Sequence, residues 1–407
     1  MQLQPALVNR ATQKRPHLYG VDFMRIFFIC GVLLNHTTTS SLTRMVDKNG
    51  WPYMTLISTH LMLHFTRMGF MFMTGLVLTL SYYNRNAWPT FFKKRFAGSG
   101  WPYLLWNFLL LFAMMLFSDP HLANLSVFSQ TYWDAIIHGD RFYLYYILIT
   151  LQLYVIFPLI VKLFKTVNHH RLILVSSFFI QMMLMFLIKY WVSRIDRSHW
   201  LWWFNNYGDN VFTYQFYFIF GAYTMLHYQE VSAWIQKHIK AIALITIGLG
   251  LGTIPYFLWY NESVLGLSEG QSVSPHQPYM LVYDTMMIIL VFWLGRKYAY
   301  WRQHGIWQWA ETLIKNGALI SFGIYLDQEL GLNILDRALM LIKAPDWAFF
   351  WALPISYLFV IGVSFIVAWF CYKVPPFGIL IGRPQWHILK KNRQVAHRRQ
   401  LKNETIK

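Results

Sequence analysis

The chain has 407 residues, of which 56% are hydrophobic and only 13% charged, too apolar a balance for a soluble protein with this many long uncharged runs. Its 35 basic against 17 acidic residues give a formal charge of +18, which alone would suit a nucleic-acid binder. The basic residues instead fall in short connections between apolar runs, which argues against that class. Two cysteines, Cys30 and Cys371, both in apolar segments, offer neither a disulfide framework nor a metal-ligand spacing.

A helix crosses a bilayer with about 17 to 25 residues. On that length the apolar runs predict spans at 22–40, 56–84, 101–117, 142–162, 172–190, 207–228, 241–260, 279–295, 317–335 and 347–372. The expected fold is therefore all-α, a polytopic membrane protein with about ten transmembrane helices. One set of connections carries Arg10, Lys14 and Arg15, then Arg85 and Lys93 to Arg95, Lys162, Lys165 and Arg171, Lys237 and Lys240, Arg296 to Lys315, and the tail. The other set holds most of the acids, among them Asp47, Asp119, Asp196, Glu269 and Asp346. By the positive-inside rule both termini are expected in the cytoplasm. The expected organisation is a basic N-terminus over 1–21, one membrane domain over 22–372 and a basic tail over 373–407. No cleavable leader is expected, since no short apolar region with a small-residue cleavage site follows the polar first twenty residues. The tail, Arg383 included, reads as a surface for anionic headgroups, and Trp191, Trp200, Trp202 and Trp203 read as an interfacial aromatic belt.

Span one, VDFMRIFFICGVLLNHTTTS, buries Arg25 near one end and His36 near the other. Eleven helical steps of about 100° return to within about 20° of the start, some 16 Å further along the axis. The two residues thus share one stripe. An arginine inside an apolar segment points to a function unless it snorkels to the headgroups, and His36 would then merely bond a neighbouring helix. A guanidinium forks onto phosphate oxygens, whereas an imidazole takes and returns a proton near neutral pH. Acyl-coenzyme A, a phosphorylated nucleotide on a long thioester arm, fits that separation, entering from the cytoplasm with its thioester reaching His36.

Span two adds His60, His64 and Arg67. No carboxylate completes a zinc motif around the histidine pair, so the preferred reading is bonding across the bundle, with Arg67 facing a polar interior. Beyond it Thr74 and Gly75 suit close helix contact. The basic loop FFKKRFAGSGWPY supplies Lys94 and Arg95 as further phosphate contacts beside their topological role, and Gly98-Ser99-Gly100 leaves backbone amides free to approach an anion. Span nine reads SFGIYLDQEL, setting Tyr325, Asp327, Gln328 and Glu329 in an apolar helix. The two carboxylates either approach His36 in depth, where one could orient the imidazole, or lie solvated at the outer interface.

Together these stretches resemble the acyltransferase-3 family of bacterial membrane O-acyltransferases. The likeness rests on Arg25 and His36 in helix one, on Phe70 to Gly75, on the basic loop leading to Pro102-Tyr103, and on Ser321 to Leu326. It extends from about Tyr19 to about Cys371. The resemblance implies His36 as the catalytic residue, with Arg25 and Arg95 on the donor. Arg25 is accordingly a candidate for catalysis as well as for donor binding, and Lys94 and Arg67 complete the expected donor contacts. It implies acetyl-CoA or succinyl-CoA as donor substrate with no tightly bound cofactor, and a surface polysaccharide of the poly-N-acetylglucosamine type as acceptor. A bacterial plasma membrane and a membrane glycosyltransferase as neighbour follow from the same resemblance. Two positions depart from the family pattern: Gly98 stands where many members carry a second basic residue, and Gln328 where many carry a histidine. A different class of function, export of the polysaccharide itself through a conduit lined by Arg67, Asp327 and Glu329, uses the same polar interior, and a general ion or solute transporter is a third class.

Overall fold

In the computed structural model, residues 17–139 and 141–383 are described; Arg10, Lys14, Arg15, Asp140 and the basic tail beyond Arg383 lie outside them. The described chain is helical, with no strand among those residues. In order the helices are α1 (Tyr19–Leu42), α2 (Trp51–Met62), α3 (Phe65–Tyr82), α4 (Trp88–Phe117), α5 (Leu125–His138), α6 (Tyr145–Thr166) and α7 (His170–Tyr190). There follow α8 (Trp202–Asn205), α9 (Gln215–Leu226), α10 (Tyr228–Pro255), α11 (Glu269–Ser272), α12 (Pro278–His304), α13 (Gln308–Met340) and α14 (Asp346–Lys373). A π-helical stretch, Tyr256–Val264, prolongs α10, and a 3₁₀ turn, Phe377–Ile381, follows α14.

Among the described residues, eight stretches are both long and apolar enough to cross a bilayer: Tyr19–Leu42, Trp51–Tyr82, Trp88–Phe117, Tyr145–Thr166, His170–Arg194, Tyr228–Val264, Pro278–His304 and Asp346–Lys373. The protein is an all-α, multi-pass membrane protein. Two of the ten expected spans have a different form. The sixth is a run of 3₁₀ turns leading into α9, whose 12 residues reach only about 18 Å. The ninth, α13, has 33 residues but carries Glu311, Lys315, Asp327, Glu329, Asp336 and Arg337 along its length.

The charged connections keep their segregation in the folded chain. At the end of the bundle where α1 begins, Lys165 lies over the Tyr83 ring, His170 bonds His227, and Arg302 stacks on Tyr19. At the opposite end the Asp346 carboxylate accepts from the backbone N–H groups of Val46 and Asp47, Lys48 pairs with Glu269, and Arg337 donates to Phe117 O. Successive membrane passes thus alternate in direction.

α1 is the central post, packed on α2, α3, α12, α13 and α14. Val21, Met24 and Phe28 enter one apolar cluster with α3, α6, α9 and α12, while Ile29, Val32 and Leu33 enter another with α4, α13 and α14. The polar stripe of α1 is left between the two clusters. α3 and α9 cross with backbones almost in contact, because a Cβ on Gly75 would sit 2.1 Å from Phe218 O and one on Gly221 1.9 Å from Phe72 O. Without a solvent-driven hydrophobic effect between helices, such close backbone packing is a main source of association in lipid. After α14 the chain folds back onto the bundle: Trp106 Nε1 donates to Leu380 O at 2.9 Å, and Ile381 is buried.

Candidate active site

Two cavities open along the polar stripe of α1. The first, of about 400 Å³, lies toward the end where α1 begins and is lined by Arg25, Lys94, Arg95 and Arg383, with Thr74 and Thr150 among its polar walls. Four cations and no acid line it. Among the described residues none of the three guanidinium groups has an ion-pair partner. The carboxylate nearest Arg25 in sequence, Asp22, is hydrogen-bonded to His17. Arg95 instead lies over the rings of Tyr82 and Tyr154, at 5.0 and 6.0 Å, with its Nε unbonded. Asp22 offsets part of the charge on Arg25 from outside the cavity wall, but no acid lines the cavity itself, so the like charges within it favour an anion.

The second cavity, of about 430 Å³, opens on the other side and is lined by His36, His60, His64, Arg67, Asp209 and His276 among others. Between the two is a space of about 30 Å³. It shares Phe70, Tyr146 and Tyr325 with the first cavity, and Asn35, His36, His64, Arg67, Tyr143 and Tyr145 with the second. Room of that size holds about one water, so the cavities meet at a neck. His36 and Arg67 stand on its far side.

Local structure explains these placements. α2 and α3 break at Leu63-His64, where the Thr66 hydroxyl donates to Leu63 O, and the break keeps His60, His64 and Arg67 on one stripe at spacings of four and three. Asn35 Nδ2 donates to His60 O at 2.8 Å, tying that stripe to α1 one residue before His36. The ring of Tyr143 lies 3.8 Å from that of His36. Tyr143 and Phe142 both have left-handed backbone, φ 56° and 57°, a conformation costly for bulky residues that clusters at functional sites. The Tyr325 hydroxyl donates to Tyr143 O and pins this turn against the neck.

Burial, reinforced by Glu329 and Asp336, pushes the Tyr143 hydroxyl up to about 12, so it stays a neutral donor beside the imidazole. His276, in the connection before α12, is pulled down to about 3 by burial and by the Arg67 charge. It is therefore neutral and shares its Nε2 with the Tyr214 hydroxyl at 3.4 Å. Arg67 lies over Tyr145 at 5.6 Å, bonds Tyr214, and feels the buried Asp284, which accepts from the Tyr217 hydroxyl at 3.2 Å. These partners hold a permanent cation at the neck while leaving part of its surface open to the cavities.

Of the residues singled out in the sequence, Arg25, Lys94 and Arg95 come together in the first cavity, His36 and Arg67 in the second, and Tyr325 lines the neck and the first cavity. Arg67 does not reach the cationic cavity. α13 runs alongside α1, with Ile26 against Gly317, so Asp327 reaches the depth of His36. It faces elsewhere. Two residues past Tyr325 is about 200° around the helix, and Asp327 is fully buried toward Ser364 and Cys371 of α14, neither solvated nor against the imidazole. Glu329, one turn past Tyr325, is partly buried near Tyr143 and bonded by Asn333 Nδ2 at 3.1 Å. Gln328 is buried with neither amide atom bonded. His60 and His64 share their Nε2 atoms at 3.3 Å, and no group of three metal-ligating residues occurs among the described residues.

Sequence reasoning did not single out Tyr143, Tyr145, Asp209, His276 or Arg383. The tyrosine-rich RFYLYY at the start of α6 was a usable signal for the first two. Arg383, assigned from sequence to the tail, is at the mouth of the first cavity, because the turn after α14 brings the chain back. The family description "acyltransferase domain", of the acyltransferase-3 type, matches residues 18–373. No curated protein and no solved structure matches the chain.

Proposed function

Because the chain belongs to the acyltransferase-3 family, we propose that it is a membrane O-acyltransferase that moves an acetyl or succinyl group from cytoplasmic acyl-CoA to a hydroxyl of a cell-surface polysaccharide. The observation that carries this reading is the position of His36, at the junction of a cationic cavity and a second cavity opening on the other side. The basic end of the bundle faces the cytoplasm of a bacterial cell by the positive-inside rule. Donor phosphates are held by Arg25, Arg95 and Lys94, and the thioester arm follows α1 toward the neck, about 16 Å away. The acceptor enters the second cavity. Its poly-N-acetylglucosamine type rests on sequence likeness to intercellular-adhesion membrane proteins, seen in the FGAY element at Phe220 to Tyr223 and the arginine seven residues before Pro102.

In the reaction the acceptor oxygen attacks the thioester carbonyl carbon while His36 takes the hydroxyl proton. The negative charge that develops on the carbonyl oxygen falls beside Arg67, already held by Tyr214 and Tyr145. The carbon–sulfur bond breaks, His36 returns the proton to the thiolate, and ester and free coenzyme A leave by opposite cavities. The neck favours transfer over export, since a space of about one water admits an acyl carbonyl but not a sugar ring.

The test is mass spectrometry of the surface polysaccharide from cells lacking the endogenous protein, complemented with wild type or His36→Ala at equal membrane levels. Ester groups restored by wild type and lost by about 100-fold or more in the variant are expected. Full esterification with His36→Ala would remove His36 from the mechanism. Polymer reaching the surface only with the protein present, and without ester in either strain, would favour export.

A further inference from the structure

The chain just beyond α14 is built into the wall of the cationic cavity. Pro375-Pro376 and the turn Phe377–Ile381 reverse its direction, Trp106 Nε1 holds Leu380 O, and Arg383 N donates to Gly378 O at 2.8 Å. Gly382 then takes a left-handed conformation, φ 68°, at a point where a Cβ would sit 2.1 Å from Gly98 O. No other residue fits that approach, for both conformation and space. A Cβ at position 98 would meet nothing within 4 Å, so the space beside the junction is open, and Gly98 lines the same cavity. The next residue, Arg383, lines the same cavity as Arg25, Lys94 and Arg95 and is near enough to Arg25 to act on its charge. It remains solvent-accessible and has no ion-pair partner among the described residues.

Arg383, its backbone fixed and its guanidinium without an ion-pair partner among the described residues, adds a fourth positive charge at the mouth of a cavity already holding three cations, so an anion entering there is attracted by all four. We propose that Arg383 binds a phosphate group of the coenzyme A donor, and that the Gly98–Gly382 contact is the joint that positions it. This rests on the donor reading above. The diphosphate and the ribose phosphate share the same chemistry, and both lie beyond the pantetheine arm from the thioester, matching a residue at the mouth and not at the neck.

The experiment measures equilibrium binding to the full chain in lipid nanodiscs, using coenzyme A, dephospho-coenzyme A and the phosphate-free S-acetyl pantetheine. Arg383→Gln is expected to weaken coenzyme A binding about tenfold or more, with pantetheine binding unchanged, and Arg383→Lys to recover part of the loss. A penalty that vanishes with dephospho-coenzyme A assigns Arg383 to the ribose phosphate; one that persists assigns it to the diphosphate. Coenzyme A binding unchanged in Arg383→Gln but lost in Arg25→Gln overturns the proposal and leaves the donor reading standing. Equal loss of coenzyme A and pantetheine binding overturns it too, because it marks collapse of the cavity. A wild-type chain that binds no coenzyme A refutes the donor reading, and Arg383 as a donor contact with it.

Discussion

Arg67 separates the two halves of the site, because it is a cation at the neck and not in the first, cationic cavity. Arg67→Met removes its charge while keeping much of its volume. A unit charge about 4 Å from the developing oxyanion, at an effective dielectric near 20, contributes about 4 kcal/mol. At about 1.4 kcal/mol per decade, this predicts a fall in kcat of about 1000-fold. On the proposed donor placement the phosphates bind in the other cavity, so KM for acyl-CoA is expected to stay within about threefold of wild type. Arg25→Met is expected to behave in the opposite way, raising KM by about tenfold or more with a smaller change in kcat. The assay is initial-rate release of free coenzyme A in proteoliposomes supplied with acceptor oligosaccharide, over a range of donor concentrations. Since Arg67 also holds Tyr214, thermal unfolding of each variant is followed in parallel, and only variants folded at the assay temperature are compared. A rise in donor KM at constant kcat for Arg67→Met would place Arg67 with the phosphates and refute the partition into two chambers.

Two further outcomes follow from packing and burial. Gly221→Ala sets a methyl 1.9 Å from Phe72 O and 2.9 Å from Leu76 N, so it is expected to force α3 and α9 apart at a cost of about 1–3 kcal/mol, read as a lower Tm; Gly248→Ala, with nothing within 4 Å, is the control and should shift Tm little. His276 is neutral in the folded chain down to about pH 3, whereas in the unfolded chain it takes a proton below about 6.5. The unfolded state therefore binds more protons between those values, and stability falls as pH drops from about 6.5 toward 3. His276→Gln should flatten that part of the pH profile of Tm, and an unchanged slope would count against a buried neutral His276.

The sequence by itself determined what lies within one helix or follows from charge order. The membrane class and the segregation of basic connections are legible because apolar length and charge survive any packing arrangement. Arg25 and His36 could be placed on one stripe, about 16 Å apart, because helical geometry alone fixes the relation of residues on the same helix. Gly75 could be marked as a helix contact because a small residue in an apolar span lets another backbone approach. What only the tertiary structure decided is the rotation of each helix against its neighbours. The sequence left Asp327 either at the depth of His36 or solvated at the outer interface; a turn of about 200° relative to Tyr325 sends it to α14, buried, and leaves Tyr143 beside His36. The break before α3 set Arg67 at the neck and not among the cations of the first cavity. Arg383 reads as tail in any one-dimensional account, and it reached the cavity through two glycines, Gly98 and Gly382, separated by most of the chain. Rotation and return depend on side-chain fit between distant segments, which local periodicity does not encode.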